Sequence, residues 1–390
     1  MYKMIYGLLL NLFYIINLFI VLKLLKMKIQ EVIDSLEEWA PSYYAENFDN
    51  TGLLVGQLDT EVTGILITLD TLEIIVDEAI EKKCNLIVSF HPIIFKGLKK
   101  LNGKNYVEKV VIKAIQHHIA IYAIHTALDN SIHGLNDMIC DKLGLINRQI
   151  LIPKKETIQK LVTYAPTAES EKIKIALFKA GAGSIGNYDH CSFTSKGFGS
   201  FRPLENANPS EGKIGKLHKN QETKIEITYP AHVQKQVLSA LFETHSYEEV
   251  AYEISTLLNQ NQQIGMGMIG ELPGVKKEEK FLTEIKEIFK TGCIKHSSLL
   301  HKNIKKVAVL GGSGSFAIAN AIAAGADIFI TSDLKYHQFY EAEGKILIAD
   351  IGHYESEQFT KNLIYRYLQK KFSNFAIILS DKNTNPIQYF

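Results

Sequence analysis

This sequence predicts an α/β fold in which two parallel-sheet lobes flank a smaller α+β insert, and three features carry that prediction. Short apolar runs of strand type alternate with stretches of helical period on both sides of the chain's middle, the β-α-β order of a parallel sheet. Around Pro153 the order changes to strands, helices and glycine-rich loops. Finally, His, Asp and Glu recur where predicted strands end, the address at which open α/β sheets hold ligands.

Bulk composition narrows the class. The 390 residues are 46% hydrophobic and 22% charged, as in a globular protein of two or three domains. A net charge of +1 provides no global field toward nucleic acid or membrane. Four scattered cysteines form no close pair, which argues against a disulfide framework or thiolate metal site and fits a reducing, cytoplasmic location. Residues 4–22 form an uncharged apolar run just long enough to span a bilayer. Residues 1–26 read either as an extension ahead of a true start at Met27 or as a membrane anchor through 4–22.

In the first lobe, residues 27–152, Ile29, Val32, Ile33, Leu36 and Trp39 recur at helical spacing until Pro41. Asp49 and Asn50 then read as turn caps before a short strand. Val62–Leu69, Leu86–Ser89 and Ile119–Ile124 read as strands, with helices over 72–82 and 107–117 between them. Their exits carry His91, and then His125 with Asp129 four residues on. The insert, residues 153–272, reads as an α+β domain of ferredoxin-like order. Its Gly181, Gly183 and Gly186 match Gly-x-Gly-x-x-Gly but follow a helix, the wrong context for a dinucleotide fingerprint; Gly197 and Gly199 continue the loop character.

The second lobe, residues 273–390, has a helix over 279–289 and a short strand over 306–310 feeding a glycine-rich turn, Gly311–Ser315. That turn lacks the lysine of a P-loop. The strand over 327–330 exits into Asp333 and His337, and the strand over 346–349 exits into His353 and Glu357. His353 and Glu357 share a face if a helix begins there. Mixed imidazole and carboxylate ligands suit a divalent cation, and Glu357 could bridge two of them.

The ordered motifs Asp49-Asn-Thr-Gly-Leu, Ser89-Phe-His-Pro-Ile-Ile-Phe, His125-Thr-Ala-Leu-Asp, Thr331-Ser-Asp-Leu-Lys-Tyr-His and Gly352-His-Tyr-Glu-Ser-Glu resemble those of the Nif-three-like family, also called GTP cyclohydrolase 1 type 2 homologues. The resemblance runs from Met27 onward. It implies two lobes of that family's α/β type, a dinuclear metal centre between them, a ring-shaped homohexamer, and an insert of CutA-like or PII-like type. Carried onto this chain, the family's ligands fall on His91, Asp129, His353 and Glu357, with His125, Asp333 and His337 as nearby catalytic candidates. The family motif usually has two histidines before the proline, and here the first is Phe90. One or two divalent ions per chain (Zn, Mn or Fe), in a mononuclear or asymmetric site, are therefore expected. The resemblance implies a metal-dependent hydrolase acting on a nucleotide or related heterocycle; the alternative is a non-catalytic metal-binding hexameric scaffold or regulator.

Overall fold

The computed structural model describes residues 27–390, so the apolar run over 4–22 lies outside the described residues. Among those described, no helix is long and apolar enough to cross a membrane. The chain divides into two compact units, one built from the segments up to Ile152 and from Gln263 to Phe390, the other from Pro153–Gln262.

The first unit opens with helix α1, Ile29–Trp39, whose buried Ile29, Val32, Ile33 and Leu36 form its inner stripe. Strand β1 (Gly52–Val55), β2 (Ile65–Thr68), helix α2 (Glu73–Glu81), β3 (Leu86–Ser89), helix α3 (Tyr106–Gln116) and β4 (Ala120–Ala123) follow. Strands β2, β3 and β4 are buried along their whole length and pair in parallel, as runs covered on both faces should. Alternation splits their side chains. Leu66, Ile87 and Ile121 pack under α2 and α3, whereas Ile65, Ile67, Leu86, Val88 and Tyr122 point to the opposite core. The short helices α4 (His125–Asp129) and α5 (Leu135–Leu143) then lead into β5 (Ile146–Lys154).

The second unit follows as β6 (Ile158–Pro166), α6 (Ser170–Lys179), β7 (Phe193–Phe201), β8 (His218–Pro230), α7 (Gln234–Thr244) and β9 (Tyr252–Leu257). The four strands lie in the order β7-β8-β6-β9, all neighbours antiparallel, which is the β-α-β-β-α-β arrangement anticipated from the sequence. Leu161, Ile225, Ile227 and Tyr229 pack with Ile173, Leu177, Val237 and Leu241 of the two helices to form its core. Gly197 and Gly199 lie within β7 rather than in a loop. The cross-strand ladder to β8 holds them extended where propensity alone favours a turn.

The chain returns to the first unit through β10, Asn261–Lys277. The sequence pattern predicts an insert that runs to residue 272. The compact unit instead ends at Gln262, because β10 pairs with the next long strand across Met268–Lys277. Helix α8 (Glu278–Phe289), β11 (Lys295–His296), β12 (Asn303–Ser313), α9 (Ile318–Ala323), β13 (Ile328–Ser332), β14 (Leu347–Asp350), α10 (His353–Glu357), α11 (Thr360–Lys371) and β15 (Ile377–Leu379) complete it. A six-stranded sheet, β11-β14-β13-β12-β10-β5, results. Strand β12 continues through Gly311 and Gly312, where the glycines alone predict a turn.

The two lobes of the first unit share one core. Val307, Val309, Ile328, Ile330 and Leu347 of the second sheet, Ile65, Val88 and Tyr122 of the first, and Leu135, Ile139, Ile364 and Leu368 from α5 and α11 belong to a single buried cluster. Strand β15 adds to the first sheet in parallel with β2, so the last strand of the chain completes the first lobe. This sharing sets strand exits of both sheets against one another.

Candidate metal centre

Four strand exits supply the site. After β3 the chain turns at Phe90, which is fully buried, and at His91, whose backbone N–H donates to the Leu69 carbonyl at 2.9 Å. His91 Nδ1 donates to Asp70 Oδ1 at 2.8 Å, and Asp70 lies just beyond β2. After β4, His125 starts α4 at φ +28, a conformation costly for a residue with a Cβ. Its Nδ1 donates to Asp49 Oδ1 at 2.8 Å, while Thr126 donates backbone N–H and hydroxyl to the other Asp49 oxygen. Asp129 lies at the end of the same helix.

From the other sheet, Asp333 follows β13 at φ +58 and accepts from Ser313 Oγ and, at 2.7 Å, from His353 Nδ1. His353 opens α10 after Gly352, and Glu357 closes that helix on the same face. The three histidines thus follow one rule. Each Nδ1 is spent on an aspartate, which orients the ring and leaves Nε2 as the available donor nitrogen.

His91 Nε2 and His353 Nε2 lie 3.0 and 3.1 Å from the same oxygen, Glu357 Oε2. Neither approach has hydrogen-bond geometry, and Oε2 is a buried oxygen without a hydrogen-bond partner. Asp129 Oδ1 is the same: shut off from solvent and unpartnered. Buried polar atoms are nearly always satisfied, so two unpartnered carboxylate oxygens beside two available imidazole nitrogens fit a divalent cation. His91, His353 and Glu357 each place a ligand atom within 4.8 Å of the others. Nitrogen and oxygen donors of this kind suit Zn, Mn or Fe.

The charges of the protein alone reflect the same pressure. Burial raises the Glu357 pKa, but the two imidazoles outweigh it and hold the carboxyl below the usual carboxylate range. Burial likewise disfavours the His91 cation, yet Glu357 and Asp70 lift its pKa to about 10; the corresponding balance with Glu357 and Asp333 lifts His353 to about 11. Asp129 goes the other way. Its burial, compounded by the Glu357 charge, raises its pKa well above the ordinary range.

The structure gathers the ligand atoms of His91, His353 and Glu357, places Asp129 on the same cavity within their electrostatic reach, sets His125 beside them with its ring 5.2 Å from that of His91, and makes Asp333 the partner of His353. His337 does not join them. It is exposed on the 3-10 segment Tyr336–Ala342, its ring packed with Tyr336 and Tyr340. Asp49 and Asp70 escaped sequence reasoning as site residues; Asp49 passed for a turn cap, although Asp70 stands at a strand exit like the other candidates. Phe90 is buried behind the site, its ring 5.5 Å from that of His125 and nearly perpendicular to it.

Gly312 was also missed. At φ +69 it lies against the Glu357 carboxylate, where a Cβ would collide with Oε1. Its N–H donates to Ser356 Oγ at 3.0 Å, and the N–H of Gly311 donates to Asn136 Oδ1 at 3.0 Å. Gly312→Ala is expected to cost about 1 kcal/mol from backbone strain alone and to displace Glu357. A thermal melt should therefore fall in the metal-free protein, and metal affinity should fall with it.

Fold and site together define an α/β protein with a candidate divalent-metal centre built from strand exits of two sheets. The chain belongs to the Duf34/NIF3 (NGG1p interacting factor 3) family, whose model matches residues 27–386. It is 36% identical over 366 residues to a GTP cyclohydrolase 1 type 2 homolog of Bacillus subtilis, covering 92% of this chain and 98% of that protein. A protein of the same name from Halalkalibacterium halodurans is 37% identical over 366 residues, with the same 92% and 98% coverage. Among solved structures, a Bacillus cereus protein related to NIF3 matches with a TM-score of 0.80 and 35% identity, covering 93% of this chain and 99% of the other.

Proposed function

We propose that this protein is a metal-dependent hydrolase acting on a nucleotide or related heterocycle, with His91, Asp129, His353 and Glu357 holding the ion. The observation that carries this reading is the pair of buried, unpartnered oxygens on Asp129 and Glu357 beside imidazoles already oriented by aspartates. A divalent ion bound there would supply Lewis acidity and bring the pKa of a water molecule toward neutrality. His125, tied to Asp49 and lining the same cavity, would accept or return a proton. His337 is not assigned a role.

The cavity above the centre, about 230 Å³, indicates what part of a substrate it would admit. Phe48, Phe95 and Phe316 line it, each partly open to solvent, which suits a flat ring. Among the described residues, none of its lining side chains is a lysine or arginine. A heterocycle therefore fits the cavity better than a triphosphate, whose charge would meet Asp129 and Glu357 with only the ion to balance it.

Purified protein starting at Met27, supplied in turn with Zn, Mn or Fe, should turn over a member of a panel of GTP, nucleosides and free nucleobases. His353→Ala should abolish that turnover; activity unchanged by His353→Ala would sink the hydrolase reading. Because Phe90 offers no ligand, metal analysis after dialysis against a mild chelator should retain fewer than two ions per chain. The assembly proposed is the homohexamer, which light scattering would register as six chain masses.

A further inference from the structure

We infer that the insert carries a second ligand site, a cavity with aromatic walls and a buried carboxylate, Glu222, that takes a small organic cation: an amine or guanidine on an apolar body. In the four-stranded sheet, Leu161, Ile225 and Ile227 turn toward the helices, so alternation turns Glu222, Lys224 and Tyr164 to the other face. On that face lies a cavity of about 740 Å³, large enough for a drug-sized molecule, walled by Tyr164, Phe198, Phe201 and Tyr247.

Glu222 is only 9% exposed. Its Oε1 accepts from the Tyr247 hydroxyl at 2.9 Å, and among the described residues no Lys, Arg or His forms an ion pair with it. Lys224, the neighbouring cation, is engaged by Glu226 at 3.3 Å. A carboxylate buried without a cation is costly, and a cationic ligand would offset that cost. Aromatic faces around it add cation–π attraction. Lys196, Arg202, Glu211, Glu248 and Glu249 also line the cavity but are exposed, and Lys224 is half-buried, leaving Glu222 as the buried charged group.

The surroundings hold Glu222 in place. His245 is buried; its Nε2–H donates to the Tyr164 carbonyl at 3.0 Å and its Nδ1 accepts from the Tyr247 backbone N–H at 3.1 Å, which fixes Tyr247. Gly199 lies so close to the Glu222 carboxylate that a Cβ there would overlap it. This accounts for a glycine inside β7, where strand propensity disfavours one.

The test uses the full, metal-loaded chain and three probes of one shape: phenethylamine, 2-phenylethanol and 3-phenylpropionate. Calorimetry should show binding of the amine, with the alcohol and the acid at least about tenfold weaker. Glu222→Gln should lower amine affinity by at least about tenfold, and Gly199→Ala, which disturbs the carboxylate without removing its charge, should lower it too. A circular dichroism spectrum and a thermal melt unchanged from wild type would show that the insert folds in both variants. Equal binding of the three probes, full amine affinity in Glu222→Gln, or no binding because a second copy of the chain covers this face would each overturn the inference.

Discussion

Glu357→Gln is expected to abolish tight metal binding and, at the same time, to destabilise the metal-free protein. One Glu357 oxygen faces both imidazoles, 3.0 Å from His91 Nε2 and 3.1 Å from His353 Nε2, in a residue only 2% exposed. Removing its charge leaves two imidazoles, their ring centroids 5.5 Å apart, without the anion that stabilises their protonated forms. Breaking such a buried arrangement costs about 3–5 kcal/mol, and the partly open edge of His353 places this case nearer about 2 kcal/mol.

The sign of the pH dependence follows from the raised histidines. A group whose folded pKa lies above its unfolded value contributes stability that is complete below the unfolded value and is lost as pH rises through the folded one. With His91 raised from 6.5 to about 10 and His353 from 6.5 to about 11, metal-free wild type should lose stability progressively above pH 6.5. Glu357, whose folded pKa is depressed, makes the same interaction fade in acid, below the unfolded value of 4.5. Denaturant titrations across this range should show that slope in the wild type and a shallower one in Glu357→Gln, where Asp70 and Asp333 still hold the two imidazoles. A slope unchanged by the substitution would contradict the assignment.

Asp129→Asn should separate stability from binding. Asp129 Oδ1 is buried without a partner, and burial together with the Glu357 charge disfavours its ionised form. A neutral amide of the same shape removes that repulsion, so the metal-free variant should be more stable than wild type at neutral pH by roughly 1 kcal/mol or more. The same change deletes a ligand, and metal affinity should fall steeply. Thermal melts with and without Zn would read both effects: a higher melting temperature without the ion and a smaller increase when it is added. Destabilisation of the metal-free variant would mean that Asp129 is held by interactions other than a cation.

Strand-helix alternation, the α+β order of the insert and the address of the site are legible in the amino-acid sequence. Those features are local. Leu86–Ser89 is an uninterrupted buried strand in both the sequence reading and the structure, and the spacing from His353 to Glu357 needs only one turn of helix to bring both side chains to one face. Strand exits could be tallied for imidazoles and carboxylates without knowing how the sheets meet.

Which of those groups converge depends on how the chain packs in three dimensions. His337 and Asp333 leave the same strand four residues apart, yet Asp333 binds His353 while His337 packs among tyrosines, because Asp333 takes a left-handed backbone conformation and the following 3-10 segment carries His337 outward. Asp49 and Asp70 became legible only as the Nδ1 partners of His125 and His91, since nothing local distinguishes an aspartate in a turn from one that orients a ligand. Gly312 needed the approach of Glu357 from a helix more than forty residues on, and the insert's boundary needed the long-range pairing of β10 with β12. Propensity and period act over a few residues; register, close approach and shared burial are set by segments distant in the chain, and these bring the candidate donors together.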